Sequence, residues 1–331
     1  MLAGLVLVAF LLYLNLTVST GTINGLIFYA NIIAANSSTF LPFSNPNLLT
    51  VFIAWLNFDL GLETCFFNGM DKYAKVWLQF AFPAYVIFLT VLIIVISEYS
   101  IMFSKLFRGR SLNPVGTMAT LVLLSYAKLI RTVITVLSFA ILSYPDGTNK
   151  VVWLADGNVQ YLQGKHIPLF ITAVFIFLVG IPYTILLFSW QWLLKLGTLK
   201  WTRNARLTSF MDAYNGPYVH KYRFWTGLLL LMRVALYLTS ALNVSSDPRV
   251  DLLSVLFITV SLLALRVILG VKRTYQKFAL DLLETTFLLN AITFSALAMY
   301  FVGSDHNRRL LAYFSSSVTF IQFLFLSLIH I

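Results

Sequence analysis

The stretch LNPVGTMATLVLLSYAKLIRTVITVLSFAIL, residues 112–142, is long and apolar enough to cross a bilayer, yet it carries Lys128 and Arg131 near its middle. A cation at bilayer depth costs roughly 2.5–3.5 kcal/mol on insertion scales, so its side chain should face a protein interior, a wet cavity or an anionic partner. This stretch therefore predicts a polytopic membrane protein with a polar interior.

The composition of the whole chain supports this interpretation. Hydrophobic residues make up 59% of the 331 residues, charged residues make up 11%, and the mean hydropathy is +0.85. Soluble globular domains hold about 25% charged residues. The sequence thus predicts an all-α fold, a single transmembrane domain over residues 1–331 built as a polytopic helix bundle of eight to nine spans. We place the spans at residues 2–16, 18–34, 76–104, 112–142, 168–194, 224–243, 252–271, 278–302 and 310–329.

The first two apolar segments leave the number of spans open. Together they cover 33 residues. A single helix of that length would extend roughly 50 Å, well beyond a hydrocarbon core of about 30 Å. A tight hairpin around Asn15 to Gly21 is favoured over one tilted helix that projects from the membrane. A third alternative is a cleavable signal peptide over Met1 to Thr17, although this segment lacks a basic n-region.

The basic residues predict the orientation of the chain, because Lys and Arg accumulate in cytoplasmic loops. Three alternate loops hold 12 of them, and the segments between these loops hold 7. The prediction is a multi-pass plasma-membrane protein with residues 36–74 and 143–166 extracellular and residues 195–223 cytoplasmic. The net charge of +11 then reflects topology and attraction to anionic lipid. Membrane lipids are the expected partners, a nucleic acid is not expected, and a homo-oligomer is left open.

Two sequons and one cysteine lie on the predicted outer side. Asn36 and Asn243 each begin an Asn-x-Ser sequence, so both are candidate glycosylation sites. Cys65 is the only cysteine, which excludes a disulfide within the chain. Pairing with another chain and simple packing of an unpaired thiol both remain open for it.

Two outer segments have the pattern of regular structure. Residues 48–60 are predicted to form an amphipathic helix at the membrane interface, where an aromatic anchor is favoured over a gate at an entrance. Residues 150–162 alternate between apolar and polar side chains around Asp156-Gly157, which predicts a short extracellular β-hairpin with its turn there. Such a hairpin would cap the outer mouth of the bundle, and a compact linker is the alternative.

Four ionisable side chains fall within the inner half of the predicted bilayer: Arg233, Arg266, Asp281 and Glu284. Asp281 and Glu284 are three residues apart and share one helix face, so a cluster with the arginines could neutralise itself. Acids in a first helical turn and snorkelling basic side chains give a simpler alternative. A structural ion-pair network is favoured over a role in permeation or coupling.

Lys128 and Arg131 are predicted to lie deeper than these four residues. Tyr126, Asn290 and backbone carbonyls are their expected neighbours. An uncompensated pair of cations would attract anionic head groups, anions or a substrate carboxylate, and it would oppose the passage of cations. The sequence contains no metalloprotease motif, nucleophile elbow or glycine-rich phosphate loop, so neither an enzyme nor a bound cofactor is expected.

Two motifs carry a resemblance to a known family. The first is INGLIFYANI at residues 23–32, which continues to NFDLG at residues 57–61. The second is MDAYNGPY at residues 211–218, followed by Arg223, Trp225-Thr226-Gly227 and Arg233. On these motifs the chain resembles the C-terminal multi-pass membrane module of large surface proteins of early-branching animals and protists. It is also remotely similar to the fungal TRP-like membrane proteins, which are associated with calcium homeostasis and cofactor transport.

The resemblance implies an extracellular N-terminus, nine spans rather than eight, and an ectodomain of repeats and EGF-like units before the module. This chain departs from that pattern because it lacks such an ectodomain, so a fragment or a shortened paralogue is expected. The resemblance assigns no functional role to any single residue.

Two functions from different classes follow as expectations. The first is a TRP-like ion channel or transporter whose pathway is shaped by the charges of the later spans. The second is a receptor-like signalling or anchoring module that passes extracellular events to the basic segment 195–223. The sequence favours the first. Charged side chains that line a water-accessible cavity would support the first function, and side chains that close on one another would support the second.

Overall fold

The computed structural model describes residues 22–35, 70–99, 114–143, 149–196, 205–242, 248–269 and 273–300, together with Ala54 and Asn57. The predicted spans at residues 2–16 and 310–329, nearly all of the predicted interfacial helix, both sequons and Cys65 lie outside these residues. The described helices are α1 (Thr22–Ala35), α2 (Lys72–Tyr99), α3 (Pro114–Leu137), α4 (His166–Leu196), α5 (Ala205–Asn215), α6 (Trp225–Leu242), α7 (Pro248–Ile268) and α8 (Phe278–Tyr300), and the strands are β1 (Phe139–Ser143), β2 (Asn149–Trp153) and β3 (Asp156–Gln160).

Four of the described helices contain segments that are long and apolar enough to cross a membrane. These segments are Lys72–Leu92, Val115–Leu137, His166–Lys195 and Phe278–Tyr300. Helix α7 contributes a shorter apolar stretch, Leu252–Ile268. The helical fold class and the presence of membrane-length helices are therefore confirmed, and the count of eight to nine spans remains a prediction.

The outer surface of the fold is more apolar than that of a soluble protein, and some ionisable side chains lie in the interior. Large apolar side chains cover the outside, with Phe175 and Phe257 exposing 66% and 71% of their surfaces. Lys128 and Arg233 are buried, exposing 3% and 0%. Soluble proteins almost never bury such side chains fully unless they are paired, and they rarely expose large contiguous apolar surface. This arrangement suits an exterior in contact with hydrocarbon.

Polar groups of the helices also form hydrogen bonds within the protein, as an apolar surrounding requires. In hydrocarbon every backbone amide needs a partner within the protein, and an α-helix supplies these partners internally. Hydroxyl groups within the helices bond back to the carbonyl four residues earlier, as Thr90, Thr120 and Thr184 do at 2.8–2.9 Å. Few polar groups are therefore left facing outward along these segments.

Helix α3 lies at the centre of the bundle. It packs against α1, α2, α4, α5 and α6, while α7 packs mainly against α8 and α6. Helix α6 approaches α4 closely at Gly227, where a Cβ atom would collide with the backbone of Phe188. The absence of a side chain at this position is what permits the contact.

A three-stranded antiparallel sheet in the order β1-β2-β3 follows the C-terminal end of α3. The hairpin predicted at residues 150–162 forms as β2 and β3, but the prediction of its turn was wrong. Trp153 pairs with Asp156, so the turn is Leu154-Ala155 and lies two residues before Asp156-Gly157. A register shift between Val152 and Trp153 changes which residues face each other.

The predicted span 112–142 also needs a correction at its C-terminal end. Helix α3 ends at Leu137, and Phe139–Ser143 forms β1, which pairs with β2 from Phe139↔Trp153 to Ser143↔Asn149. A short apolar run has no periodicity that separates strand from helix, so hydropathy extended the span too far. The strand is selected by its pairing with β2, which lies ten residues further along the chain.

Candidate functional site

The candidate site is a buried ion-pair cluster between α7 and α8, formed by Arg266, Asp281 and Glu284. Arg266 Nη2 lies 2.5 Å from Asp281 Oδ1, and Arg266 Nη1 lies 3.4 Å from Glu284 Oε2. These residues expose only 6%, 7% and 4% of their surfaces. Because Asp281 and Glu284 lie one helical turn apart, one guanidinium reaches both carboxylates. We call these three residues the Arg266 cluster.

Each carboxylate of the Arg266 cluster accepts a further hydrogen bond. The indole Nε1–H of Trp225 donates to Glu284 Oε1 at 2.9 Å, and the backbone N–H of Thr274 donates to Asp281 Oδ1 at 2.9 Å. Buried carboxylates need such donors because burial removes their hydration. The cluster is thus closed by protein groups from α6, α7, α8 and the segment before α8.

Two loops are joined beside the Arg266 cluster. Val219 N–H donates to Thr274 O at 3.0 Å, and Gln276 N–H donates to Pro217 O at 3.0 Å. The rings of Tyr218 and Tyr275 contact each other with centroids 4.7 Å apart. The second motif, residues 211–218, therefore ends in a loop that is fixed to the segment leading into α8.

Arg233 lies apart from the Arg266 cluster, although the sequence analysis grouped it with these residues. It is fully buried on α6, and its guanidinium lies 5.8 Å from the ring centre of Phe28. Tyr275 lies within electrostatic range of Arg233 and also of Arg266 and Glu284. Burial holds the pKa of Tyr275 well above its usual value, so the phenol within range of both arginines is neutral.

The deeper cations of α3 lie in a different part of the interior. Lys128 is buried and Arg131 is half-buried. Tyr126 shares a 2.6 Å hydrogen bond with Thr184 of α4. Asn290 Nδ2 donates to Tyr29 Oη, which joins α8 to α1. Tyr126 and Asn290, which were predicted to lie near Lys128 and Arg131, thus each join two helices.

The structure adds a group of functional candidates that the sequence analysis missed, at the C-terminal end of α3, which the basic residues predict to face outward. The last carbonyls of this helix accept hydrogen bonds from side chains that follow it: Trp153 Nε1–H donates to Thr135 O at 2.8 Å, and Tyr161 Oη–H donates to Leu137 O at 2.8 Å. The carbonyls of a last helical turn have no partner within the helix. We call Trp153, Tyr161 and His166 the outer cap.

His166 completes the outer cap and fixes its own tautomer. Its Nδ1 accepts the N–H of Leu162 at 3.2 Å, so we assign the ring proton to Nε2, which donates to Val136 O at 3.1 Å. The rings of Trp153 and Tyr161 lie 5.6 and 4.8 Å from that of His166. No signal in the sequence identified these side chains, because their acceptors are backbone atoms.

The N-terminal part of α3, which is predicted to lie toward the cytoplasm, is bound by α5. Tyr214 Oη–H donates to Ala119 O at 2.7 Å, and Thr226 donates to Tyr214 O at 3.0 Å. Burial raises the pKa of Tyr214 well above its usual value. Helix α3 therefore contacts the outer cap at one end and, through Tyr214, the segment that carries the second motif at the other.

A smaller polar contact joins the two parts of the first motif. Asn31 Nδ2 donates to Asn57 Oδ1 at 2.7 Å, and Asn57 Nδ2 donates to Ala30 O at 3.1 Å. Both asparagines are buried. Paired amides of this kind fix one packing arrangement, since an unpaired buried amide is unfavourable.

The chemistry open to these groups is restricted. Among the described residues, no group of three or more His, Cys, Asp or Glu side chains could hold a metal ion. Comparison of the chain with protein-family models, with curated proteins and with solved structures gave no match. The assignment of function therefore depends on the geometry of the molecule itself.

Proposed function

We propose that this chain is an integral multi-pass membrane protein that works as a receptor-like signalling or anchoring module. The observation that carries the proposal is the closure of the Arg266 cluster, in which one cation meets two carboxylates and each carboxylate accepts one further hydrogen bond from the protein. Side chains that conduct ions must exchange protein contacts for water or cargo. A closed, buried cluster instead fits a role in holding two helices and a loop together.

The path of hydrogen bonds along α3 supports a receptor-like role. The outer cap binds the last turn of this helix, and Tyr214 binds a carbonyl near its inner end. A perturbation at the outer cap could therefore reach α5 and the loop that is fixed to the Arg266 cluster. A direct measurement between the two ends of α3 tests this coupling.

The proposed orientation follows from the basic residues. Residues 143–166, which include most of the sheet, would be extracellular, and residues 195–223 would be cytoplasmic, in a plasma membrane with anionic lipid on the inner side. We further propose that the chain is related to the C-terminal membrane modules of large surface proteins, on the two motifs that carry that resemblance. In this arrangement the outer cap is the side that meets an extracellular event.

A labelling experiment tests the coupling. Cys65 is replaced by Ser, Thr274→Cys places a buried reporter thiol in the loop beside the Arg266 cluster, and the protein is reconstituted in liposomes. Trp153→Phe removes one hydrogen bond of the outer cap while it keeps most of the ring. We expect the labelling rate at position 274 to rise about five-fold, which corresponds to a coupling free energy of about 1 kcal/mol.

The control for this experiment is Val151→Ala on the same strand, where the side chain is exposed. This variant should leave the labelling rate unchanged. Equal rates for Trp153→Phe and the parent protein, with a thermal scan that shows the expected local destabilisation, would argue against receptor-like coupling and leave the anchoring role.

A channel or transporter is the second candidate, and the interior charge favours one version of it. The ionisable side chains discussed above within the described helices are Lys128, Arg131, Arg233, Arg266, Asp281 and Glu284, which sum to four positive and two negative charges. A net positive interior attracts anions and opposes cations. Anion flux into liposomes that falls when Arg233 is replaced by Gln would support this candidate, and absence of any flux would remove it.

A further inference from the structure

A basic recess lies where the C-terminal end of α4 meets the loop before α6. It has a volume of about 610 Å³ and is lined in part by Lys195, His220, Lys221 and Arg223. None of its described lining residues is acidic. Three permanent cations line this concave site and the carboxylate of Asp212, beside Arg223, offsets part of their charge, so the net positive charge favours an anionic ligand.

The rim of this recess is built from fixed groups and leaves donors available. Gln191 Nε2 donates to His220 O at 2.7 Å, which joins α4 to the short 3₁₀ turn His220–Tyr222. Arg223 Nη2 lies 3.2 Å from His220 Nε2. Arg223 Nη1 forms an ion pair with Asp212 Oδ1 at 3.9 Å, a separation too long for a hydrogen bond. Within the described part of the chain Arg223 Nε is buried without an acceptor, so the guanidinium is not saturated.

The chemistry of the cations points to phosphate. Lys ammonium groups serve as point charges for phosphate, and the planar Arg fork matches phosphate oxygens. A carboxylate carries less charge and fewer acceptor oxygens than a phosphate monoester. A phosphate bound here would meet donors from α4 and from the loop before α6.

The surroundings of the recess favour a lipid as the source of the phosphate. Trp192 lines the recess and exposes 52% of its surface, and indole rings prefer the level of the head groups. The face of α4 that leads away from the recess is apolar and exposed, at Ile185, Leu178 and Phe175. An acyl chain could lie along this face while its head group occupied the recess.

We infer that this recess binds the phosphate head group of an anionic phospholipid, with the acyl chains against α4. The inference goes beyond the proposed function and does not depend on it, because a receptor, an anchor and a transporter could each bind such a lipid. It adds one specific binding site to the general attraction of the basic loops to anionic lipid that the sequence predicts.

The test compares two double variants that remove the same number of charges. Lys195→Gln with Lys221→Gln alters the recess, and Arg273→Gln with Lys277→Gln alters another exposed basic segment on the same predicted side of the membrane. Each purified protein is titrated with phosphatidic acid in mixed micelles with phosphatidylcholine at 0.15 M salt. We expect the recess variant to bind about 30-fold more weakly, and the control to change by less than about three-fold.

Equal losses in the two variants would overturn the inference, because they would indicate diffuse attraction without a site. Unchanged binding in the recess variant would overturn it as well. A competition on the parent protein separates the sources of phosphate: inorganic phosphate at 10 mM should displace only a small part of the bound lipid. Complete displacement would show that a free anion suffices, which would contradict the lipid assignment even if the recess variant failed to fold.

Discussion

Replacement of Arg266 by Met is the perturbation that the structure defines most sharply. The variant keeps the volume of the side chain but removes the cation from between Asp281 and Glu284, so two buried carboxylates are left to face each other across one helical turn. Removal of one partner from a buried ion pair typically destabilises a protein by about 3–5 kcal/mol. The effect is large because the remaining charge has lost its hydration on burial and no longer has its ionic partner.

The geometry places the expected loss near the lower end of that range. Asp281 keeps the N–H of Thr274, and Glu284 keeps the indole N–H of Trp225, both at 2.9 Å. Charge-assisted bonds of this kind are each worth about 1.5–3 kcal/mol. We therefore expect Arg266→Met to lower the free energy of unfolding by about 3 kcal/mol. Glu284→Gln should cost less than Asp281→Asn, because the Glu284 contact with Arg266 is the longer one.

The assay is reversible unfolding in mixed micelles with increasing denaturing detergent, followed by tryptophan fluorescence. The matched control is the triple variant Arg266→Met, Asp281→Asn, Glu284→Gln, which removes all three charges together. It should lie within about 1 kcal/mol of the parent protein, since neutral replacement of a whole buried cluster is often tolerated. A triple variant as unstable as Arg266→Met, or a loss below about 1 kcal/mol for the single variant, would refute the reasoning.

Three further predictions concern helix packing, the outer cap and pH. Gly227→Ala should destabilise the protein by about 1–3 kcal/mol, because the added Cβ would collide with the backbone of α4. The control, Gly157→Ala, adds a Cβ that meets nothing within 4 Å, so its free energy of unfolding should stay within about 0.5 kcal/mol of the parent protein in the same assay. Trp153→Phe should cost about 1 kcal/mol through the lost bond to Thr135 O, and an unchanged melting temperature would contradict this. The pKa of buried Tyr214 is raised, so the folded state keeps the phenol proton above about pH 10, where the unfolded state loses it. The free energy of unfolding should therefore fall as the pH rises past that value. Tyr214→Phe should make this fall less steep in a pH series of melting temperatures.

The helices were the part of the fold most open to prediction. Seven described helices begin and end within five residues of predicted span limits, and the C-terminal end of α3 differs in kind because the chain there continues into β1. Long apolar runs leave few alternatives to a helix, because backbone groups in hydrocarbon must be satisfied internally. Strand β1 was not predicted, because the short apolar run at residues 139–142 is compatible with either a helix or a strand. Its pairing with β2 selects the strand.

The candidate site was predictable in its acidic half and less so elsewhere. The spacing of Asp281 and Glu284 places both on one helix face, and approximate depth brings Arg266 within reach. The separate position of Arg233 depends on which face of α6 turns toward Phe28, and local sequence does not determine that rotation. The donors Trp225 and the backbone N–H of Thr274 come from other elements, so their roles depend on tertiary structure alone.

The central claim is that the intramembrane carboxylates are closed off by protein groups and do not line a water-filled pathway. Its most direct test is modification of the protein in lipid nanodiscs with a water-soluble carbodiimide and an amine, read for each carboxylate by mass spectrometry. The exposed Asp71 and Asp212 serve as internal references. The account predicts that Asp281 and Glu284 react only after the protein is unfolded. Modification of either residue in the folded protein at the rate of Asp212 would contradict it.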